Sequence, residues 1–235
     1  MGLPLDSDEA AGFRAARSRV LAVVAEACGR AGRDPSDVTL VAVSKTVAVP
    51  RLTAAMAAGI TLFGENRVQE ADSKAPLLPA ARWHLIGPLQ SNKARRAVEL
   101  FDVIESVDSA DLARRLDRLA GELDRAPLGV FLQVNVDRDE AKAGFTPETL
   151  DEDLDELAAL SNLRLLGLMT VGRLAVSPED ARPTFIRLRE LSIRLRARHS
   201  EVGPGLSMGM SDDYAVAVEE GATVIRVGRA IFGAR

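Results

Sequence analysis

Five apolar residues, Phe13, Ala16, Val20, Val24 and Cys28, stand three or four apart behind Ser7 and ahead of Gly29 and Gly32. That is the spacing of one helix face with a start and a stop signal, and it predicts an amphipathic helix within residues 1–32 with Cys28 on its inner side. The period then changes. Eight short runs rich in Val, Ile and Leu come next, at 38–44, 60–66, 82–87, 101–107, 128–136, 163–170, 205–210 and 223–228. The segments between them carry helix punctuation. Pro50 suits a first turn and Gly59 an end, Ser91 and Ser109 precede helical stretches, Thr146-Pro147, Ser177-Pro178 and Ser211-Asp212 open the later helices, and Gly221 closes the last full one. Within the runs there is no strict alternation of apolar and polar residues, which marks strands buried on both faces of a parallel sheet.

Eight strand and helix units in this length fit a single-domain α/β fold, a (β/α)8 TIM-type barrel with an additional N-terminal helix packed on it. An open doubly wound sheet is the alternative. Whether the first helix covers the lower face of the barrel or supports a dimer is not decided by its pattern.

Composition narrows the chemistry. With 47% hydrophobic and 27% charged residues and a net charge of −4, the chain is that of an ordinary soluble domain, and no nucleic-acid or membrane partner is implied by bulk charge. Cys28 is the only cysteine, which excludes an internal disulfide, a thiolate metal cage and a CxxC redox pair. The N-terminal stretch has no basic start followed by an apolar core, so a cytoplasmic location is expected. An "MG" start fits myristoylation only with Ser or Thr at position six, where Asp6 stands. No pair of histidines stands at ligand spacing, so no metal site is expected.

In barrels of this kind the site lies at the C-terminal ends of the strands. The residues there are Lys45, Glu65 and Asn66, His84 and Gly87, Glu105 and Ser106, Asn135, Thr170, the "SMGMS" group, and Arg226 with Gly228. Lys45 is the informative one, because a buried strand that delivers an amine to the barrel mouth offers a nucleophile for a carbonyl. The competing reading is a lysine that snorkels to solvent or pairs with Glu65. The loops after the seventh and eighth strands bring Ser211 and Gly228, a hydroxyl and close-approaching amides, to the usual phosphate position of such barrels. Capping and turning alone would also explain these two residues. Lysine and cradle are neighbours in a closed barrel and together suit a phosphorylated aldehyde, with pyridoxal phosphate the obvious candidate. Arg226 lies two positions before Gly228 and shares its face. A guanidinium only donates hydrogen bonds, so opposite a pyridine nitrogen it would keep that nitrogen unprotonated. A salt bridge to Glu65 or Glu105 is the alternative role for Arg226.

The segments "VAVSKT", "FGENRVQE", "WHLIGPLQSNK", "GLMT", "LSMGMSDDY" and "VIRVGRAIFG" resemble, in order, the signatures of the pyridoxal phosphate homeostasis protein family, single-domain relatives of the alanine racemase barrel. The likeness runs from about Val38 to Gly233. It implies that Lys45 carries pyridoxal 5′-phosphate as an internal aldimine and that Asn66 lines the cofactor. It also implies that Ser211, Gly228 and Arg229 hold the phosphate and that Arg226 faces the pyridine nitrogen. Arg229 departs from the threonine many relatives carry, which leaves its side-chain contact charged or lost, and no functional residue aligns in "VGRLAVSPEDARPTF".

The resemblance implies a cytoplasmic cofactor carrier in vitamin B6 homeostasis, with pyridoxal phosphate-dependent apo-enzymes as recipients, working as a monomer or weak dimer. An amino-acid racemase is the first alternative. It needs an acid/base on each face of the substrate, usually a lysine and a tyrosine from a second domain, and here Tyr214 is the only tyrosine and no second domain is expected. A Schiff-base aldolase acting on a phosphorylated carbonyl is the other alternative. Of the remaining candidates, Lys142 reads as a solvated loop residue, His84 as a rim residue or a base, His199 as surface, and the "NKARR" run as a solvated helix face.

Overall fold

The computed structural model describes residues 7–172 and 177–233. The N-terminal positions Met1 to Asp6 and the middle of the loop after the sixth strand lie outside them. Eight parallel strands close on themselves in sequence order: β1 (Thr39–Val43), β2 (Leu62–Glu65), β3 (Arg82–Leu85), β4 (Val103–Val107), β5 (Leu128–Gln133), β6 (Leu163–Met169), β7 (Gly205–Ser207) and β8 (Val224–Val227). Closure is explicit in the β1–β8 pairing, where Val41 sits opposite Arg226, and it removes the open-sheet alternative. Val, Ile and Leu dominate these runs because each strand packs on one side against the barrel interior and on the other against helices.

Helix α1 (Ser7–Ala31) buries Phe13, Ala16, Val20, Val24 and Cys28, the face the spacing predicts. It lies in the outer layer against α2 (Val49–Ala57), α8 (Tyr214–Glu219) and α9 (Arg229–Phe232), over the seam where the last unit meets the first. Arg33 fastens it there by donating to the carbonyls of Val218 and Ala222 at 2.5 and 2.9 Å. The rest of the ring is α3 (Val68–Lys74), α4 (Ala94–Leu100), α5 (Ala110–Glu122), α6 (Pro147–Ala158) and α7 (Arg182–Arg196).

The caps match the sequence at most positions. Ser109 accepts from the Leu112 amide, and Thr146 forms a capping box with Thr149. Three expected helix starts are corrected: Ser177 opens the 3-10 turn Pro178–Ala181 and α7 begins only at Arg182. Ser91 opens a 3-10 turn and α4 begins only at Ala94, while α8 begins at Tyr214, three residues past Ser211, with the Asp213 carboxylate turned back to the Met210 amide at 2.6 Å.

Inside the barrel, side chains alternate. Val41, Leu62, Phe131, Met169 and Val224 form an apolar plug, with Ala42 and Phe63 turned outward into the helical layer. Toward the C-terminal end the inward positions become polar, and the candidate site begins there. Among the described residues no helix is long and apolar enough to cross a membrane.

Candidate functional site

Strand β1 ends at Val43, Ser44 follows with its side chain pointing outward, and the chain then turns through Lys45 and Thr46. Alternation from Val41 and Val43 aims Lys45 into the barrel mouth. Thr46 adopts φ +63°, a left-handed backbone that costs a β-branched residue about 1–3 kcal/mol. Lys45 is half-buried, and its Nζ makes no hydrogen bond or ion pair with any described residue. The expected competitor, Glu65, is engaged elsewhere: its Oε1 accepts from Lys74 Nζ and from the Ser44 hydroxyl, both at 2.7 Å.

Beside Lys45, the ends of β7 and β8 bring Ser211 and Gly228 together. Gly228 comes directly after β8 and packs on Val43, the residue two before Lys45. The Ser211 hydroxyl accepts from the Gly228 amide at 3.3 Å in place of capping its own helix. In the first turn of α9 the amides of Arg229 and Ala230 have no acceptor within their helix and are free to meet an anion. Gly209 at the tip of β7 has φ +91°, and a Cβ there would lie 2.6 Å from that of Ala217, so only glycine lets this loop fold down onto α8. The exposed Arg229 guanidinium pairs with Asp212.

Asn66 is half-buried at the tip of β2, on the other side of Lys45. The backbone of Gly87 passes so close that a Cβ would stand 2.4 Å from the Asn66 carbonyl oxygen, which explains the glycine after β3.

Deeper in the barrel Arg226 is almost wholly buried. Its Nη1 donates to Ser207 Oγ and its Nη2 to the Thr170 carbonyl at 2.7 Å, while Glu105 lies 3.7 Å away. The carboxylate that pairs with Arg226 is thus Glu105, and Glu65 has no part in it. Glu105 accepts from Ser207 at 2.6 Å and contacts His84 Nδ1 at 2.6 Å. Burial pushes the Glu105 carboxyl up, but the His84 hydrogen bond and the charges of His84 and Arg226 outweigh it and hold the group below the usual range. Burial also lowers Arg226, opposed by Glu105 and Asp213. His84 is accordingly a member of a buried network instead of a rim residue.

Two further expectations change. Lys142 is no solvated loop residue, since its Nζ donates to the Val171 carbonyl at 3.1 Å and the side chain is largely covered. His199 is half-buried and pairs with Asp155 at 2.8 Å. The basic run after Ser91 behaves as a solvated face, with Arg96 on Asp72 and Glu99 and Arg95 on Glu122. Sequence reading missed Lys74 and Glu70. The signal was available in their (i, i+4) spacing on α3, and it reads as an ordinary surface pair until Glu65 is placed beside it.

The donor set suits a phosphorylated aldehyde: an unengaged amine, a hydroxyl and first-turn amides for a dianion, and a buried guanidinium for a ring acceptor. The comparisons point the same way. The family "Alanine racemase, N-terminal domain" matches residues 24–235. A pyridoxal phosphate homeostasis protein of Synechocystis is 47% identical over 204 residues, spanning 86% of this chain and 93% of that one, and one of Pseudomonas aeruginosa is 44% identical over 93% and 94%. The solved structure of PipY from Synechococcus elongatus, with PLP bound, superposes with a TM-score of 0.80 at 45% identity, over 89% of this chain and all of that one. With a closed barrel, an amine at the tip of β1 and relatives of this identity along nearly its whole length, the chain belongs to the pyridoxal phosphate homeostasis protein family.

Proposed function

We propose that this protein binds pyridoxal 5′-phosphate at the mouth of its barrel and acts in the cytoplasm as a carrier in vitamin B6 homeostasis, with effects on amino-acid and keto-acid balance through the cofactor it holds or delivers. The observation that carries the reading is the unengaged Lys45 amine beside the Ser211 and Gly228 cradle. When bound, the cofactor supplies an aldehyde with which an amine condenses, releasing one water and forming a C=N bond. Lys45 is the amine for that link. Ser211 and the amides of Gly228 and Arg229 hold the phosphate, Asn66 lines the ring, and Arg226 donates toward the ring nitrogen, held in place by Ser207 and Glu105. A cation there disfavours protonation of that nitrogen, which weakens the ring as an electron sink and supports carriage over α-carbon chemistry. The recipients are apo-enzymes that use the same cofactor, and the working form is a monomer or weak dimer.

Visible absorption of the full chain with pyridoxal 5′-phosphate, before and after borohydride, with subsequent peptide mass mapping, tests this. A bleachable band with the adduct on Lys45, abolished in Lys45→Ala at unchanged melting temperature, is expected. An adduct on another lysine, or no band, overturns the assignment. Ser211→Ala should release the cofactor several-fold faster with little change in stability, and an unchanged off-rate removes Ser211 from the phosphate site.

A further inference from the structure

The short turn that carries Lys45 is gripped from outside the barrel wall on both sides of the lysine. On one side Lys74 Nζ donates to the Ser44 carbonyl at 3.0 Å, and the Ser44 hydroxyl donates to Glu65 at 2.7 Å. On the other, the Thr46 amide donates to Glu70 Oε2 at 2.8 Å. Lys74 ties the two grips together, reaching Glu65 Oε1 at 2.7 Å and Glu70 Oε2 at 3.3 Å. Glu65 is fully buried and Lys74 nearly so. Two lysines thus lie around one turn with opposite fates: among the described residues Lys74 has three acceptors and Lys45 has none.

We propose that Lys74, Glu65 and Glu70 are positioning residues for Lys45, a clamp on the Ser44 to Thr46 turn that fixes the direction of the amine into the barrel mouth. The reason lies in the backbone. Thr46 has φ +63°, a conformation an L-residue with a branched Cβ leaves unless something holds it. Glu70 accepts the one hydrogen bond that Thr46 can donate from its backbone, and it is fixed for that task by Lys74. Letting Thr46 relax into the extended region would swing the preceding peptide and carry Lys45 out of line with Gly228 and Asn66. Burial pushes Glu65 up, whereas the Thr46 amide and Lys74 outweigh burial at Glu70 and hold it ionised, so Glu70 is the anionic jaw of the clamp. The helix α3 that carries Glu70 and Lys74 begins two residues after Asn66, so the clamp also sets the lysine against the Asn66 side of the mouth.

The importance of the clamp rests on Lys45 being the cofactor-linking amine, but its existence does not, and the experiment separates the two. On the full chain without ligand, hydrogen exchange of the peptide containing Thr46 and acylation of Lys45 by acetic anhydride, both read by mass spectrometry, are compared for wild type, Glu70→Ala, Lys74→Met and Lys74→Arg. Glu70→Ala is expected to raise exchange at Thr46 at least ten-fold. Lys74→Met should change Lys45 acylation at least three-fold, and Lys74→Arg should recover most of the wild-type behaviour. With pyridoxal 5′-phosphate added, the rate of borohydride-trapped adduct on Lys45 should fall several-fold in Glu70→Ala and Lys74→Met. Thr46 exchange and Lys45 acylation that match wild type in Glu70→Ala overturn the clamp. If Lys74→Met does not fold, Glu70→Ala, whose side chain is partly exposed, decides alone. A wild type that takes up no cofactor sinks the proposed function while the two ligand-free readouts still judge the clamp.

Discussion

Two glutamates near the same end of the barrel, Glu65 on β2 and Glu105 on β4, are both fully buried and both pair with a cation, yet their environments drive them in opposite directions. Glu65 points outward between strand and helix. Desolvation wins there, its second oxygen has no partner among the described residues, and the carboxyl is pushed up in spite of Lys74 and Ser44. Glu105 points into the barrel, where His84, Ser207 and Arg226 together beat desolvation and pull it down. β2 and β4 each contribute a glutamate, and the side of the strand it faces sets the direction in which its carboxyl is shifted. The outward pair organises the backbone that carries Lys45. The inward pair organises a side chain, Arg226, on the floor of the site.

The largest break in this comparison is Arg226→Glu, the substitution that would give a ring nitrogen an acidic partner. Here it would place a second carboxylate against Glu105 in a dry interior and strip Ser207 and Thr170 of their donor. A loss of about 3–5 kcal/mol in urea denaturation is expected. A variant as stable as wild type would show that Glu105 does not depend on Arg226.

Next in size is the contrast between Glu105→Ala and Glu65→Gln. Removing Glu105 leaves Arg226 buried without its carboxylate and should cost about 3–5 kcal/mol. Glu65→Gln keeps an acceptor for Ser44 and Lys74 at a position where burial already pushes the carboxyl up, and should cost under about 1.5 kcal/mol. Equal losses would erase the distinction between wall and interior.

The smallest effect is the most diagnostic, because its sign differs between the two sites. Glu105 has a lowered folded-state value, so its contribution is present above the ordinary carboxylate range near about 4.3 and is lost as pH falls through the lower value. Glu65 is raised, so its contribution is present below that range and is lost as pH rises through the higher value. Stability differences measured from about pH 3 to 8 should therefore move toward the variant for Glu65→Gln as pH rises. For Glu105→Gln they should move toward wild type over the acidic end. Slopes of the same sign would refute the opposed environments.

Lys45, Asn66, Ser211, Gly228 and Arg226 were all legible as strand-end residues, because an apolar strand run in a barrel ends at the mouth and the polar residues at its tip must line that mouth. Ser211 was legible as polar but misassigned as a cap: α8 starts later than the sequence suggests, since Asp213 turns back to the Met210 amide. Lys142 looked solvated because its loop is rich in charge, and only the fold shows that the loop bends to Val171 at the end of β6. Lys74 and Glu70 were legible only as an ordinary (i, i+4) pair, since nothing along the chain says that α3 lies against the Ser44 to Thr46 turn.

The sequence by itself determined the eight strands, the helices between them, the inner face of α1 and the amine at the tip of β1, since each of these is set by local periodicity and by residue chemistry at fixed offsets. Tertiary structure decided which charges meet. Lys74 takes Glu65 and leaves Lys45 without a partner among the described residues, Glu105 takes Arg226 and His84, and Arg229 turns to Asp212. Those pairings join residues brought together by barrel closure and by helices laid back on strands, and a side chain's partner across that distance is set by which face its strand presents, a fact no local pattern records.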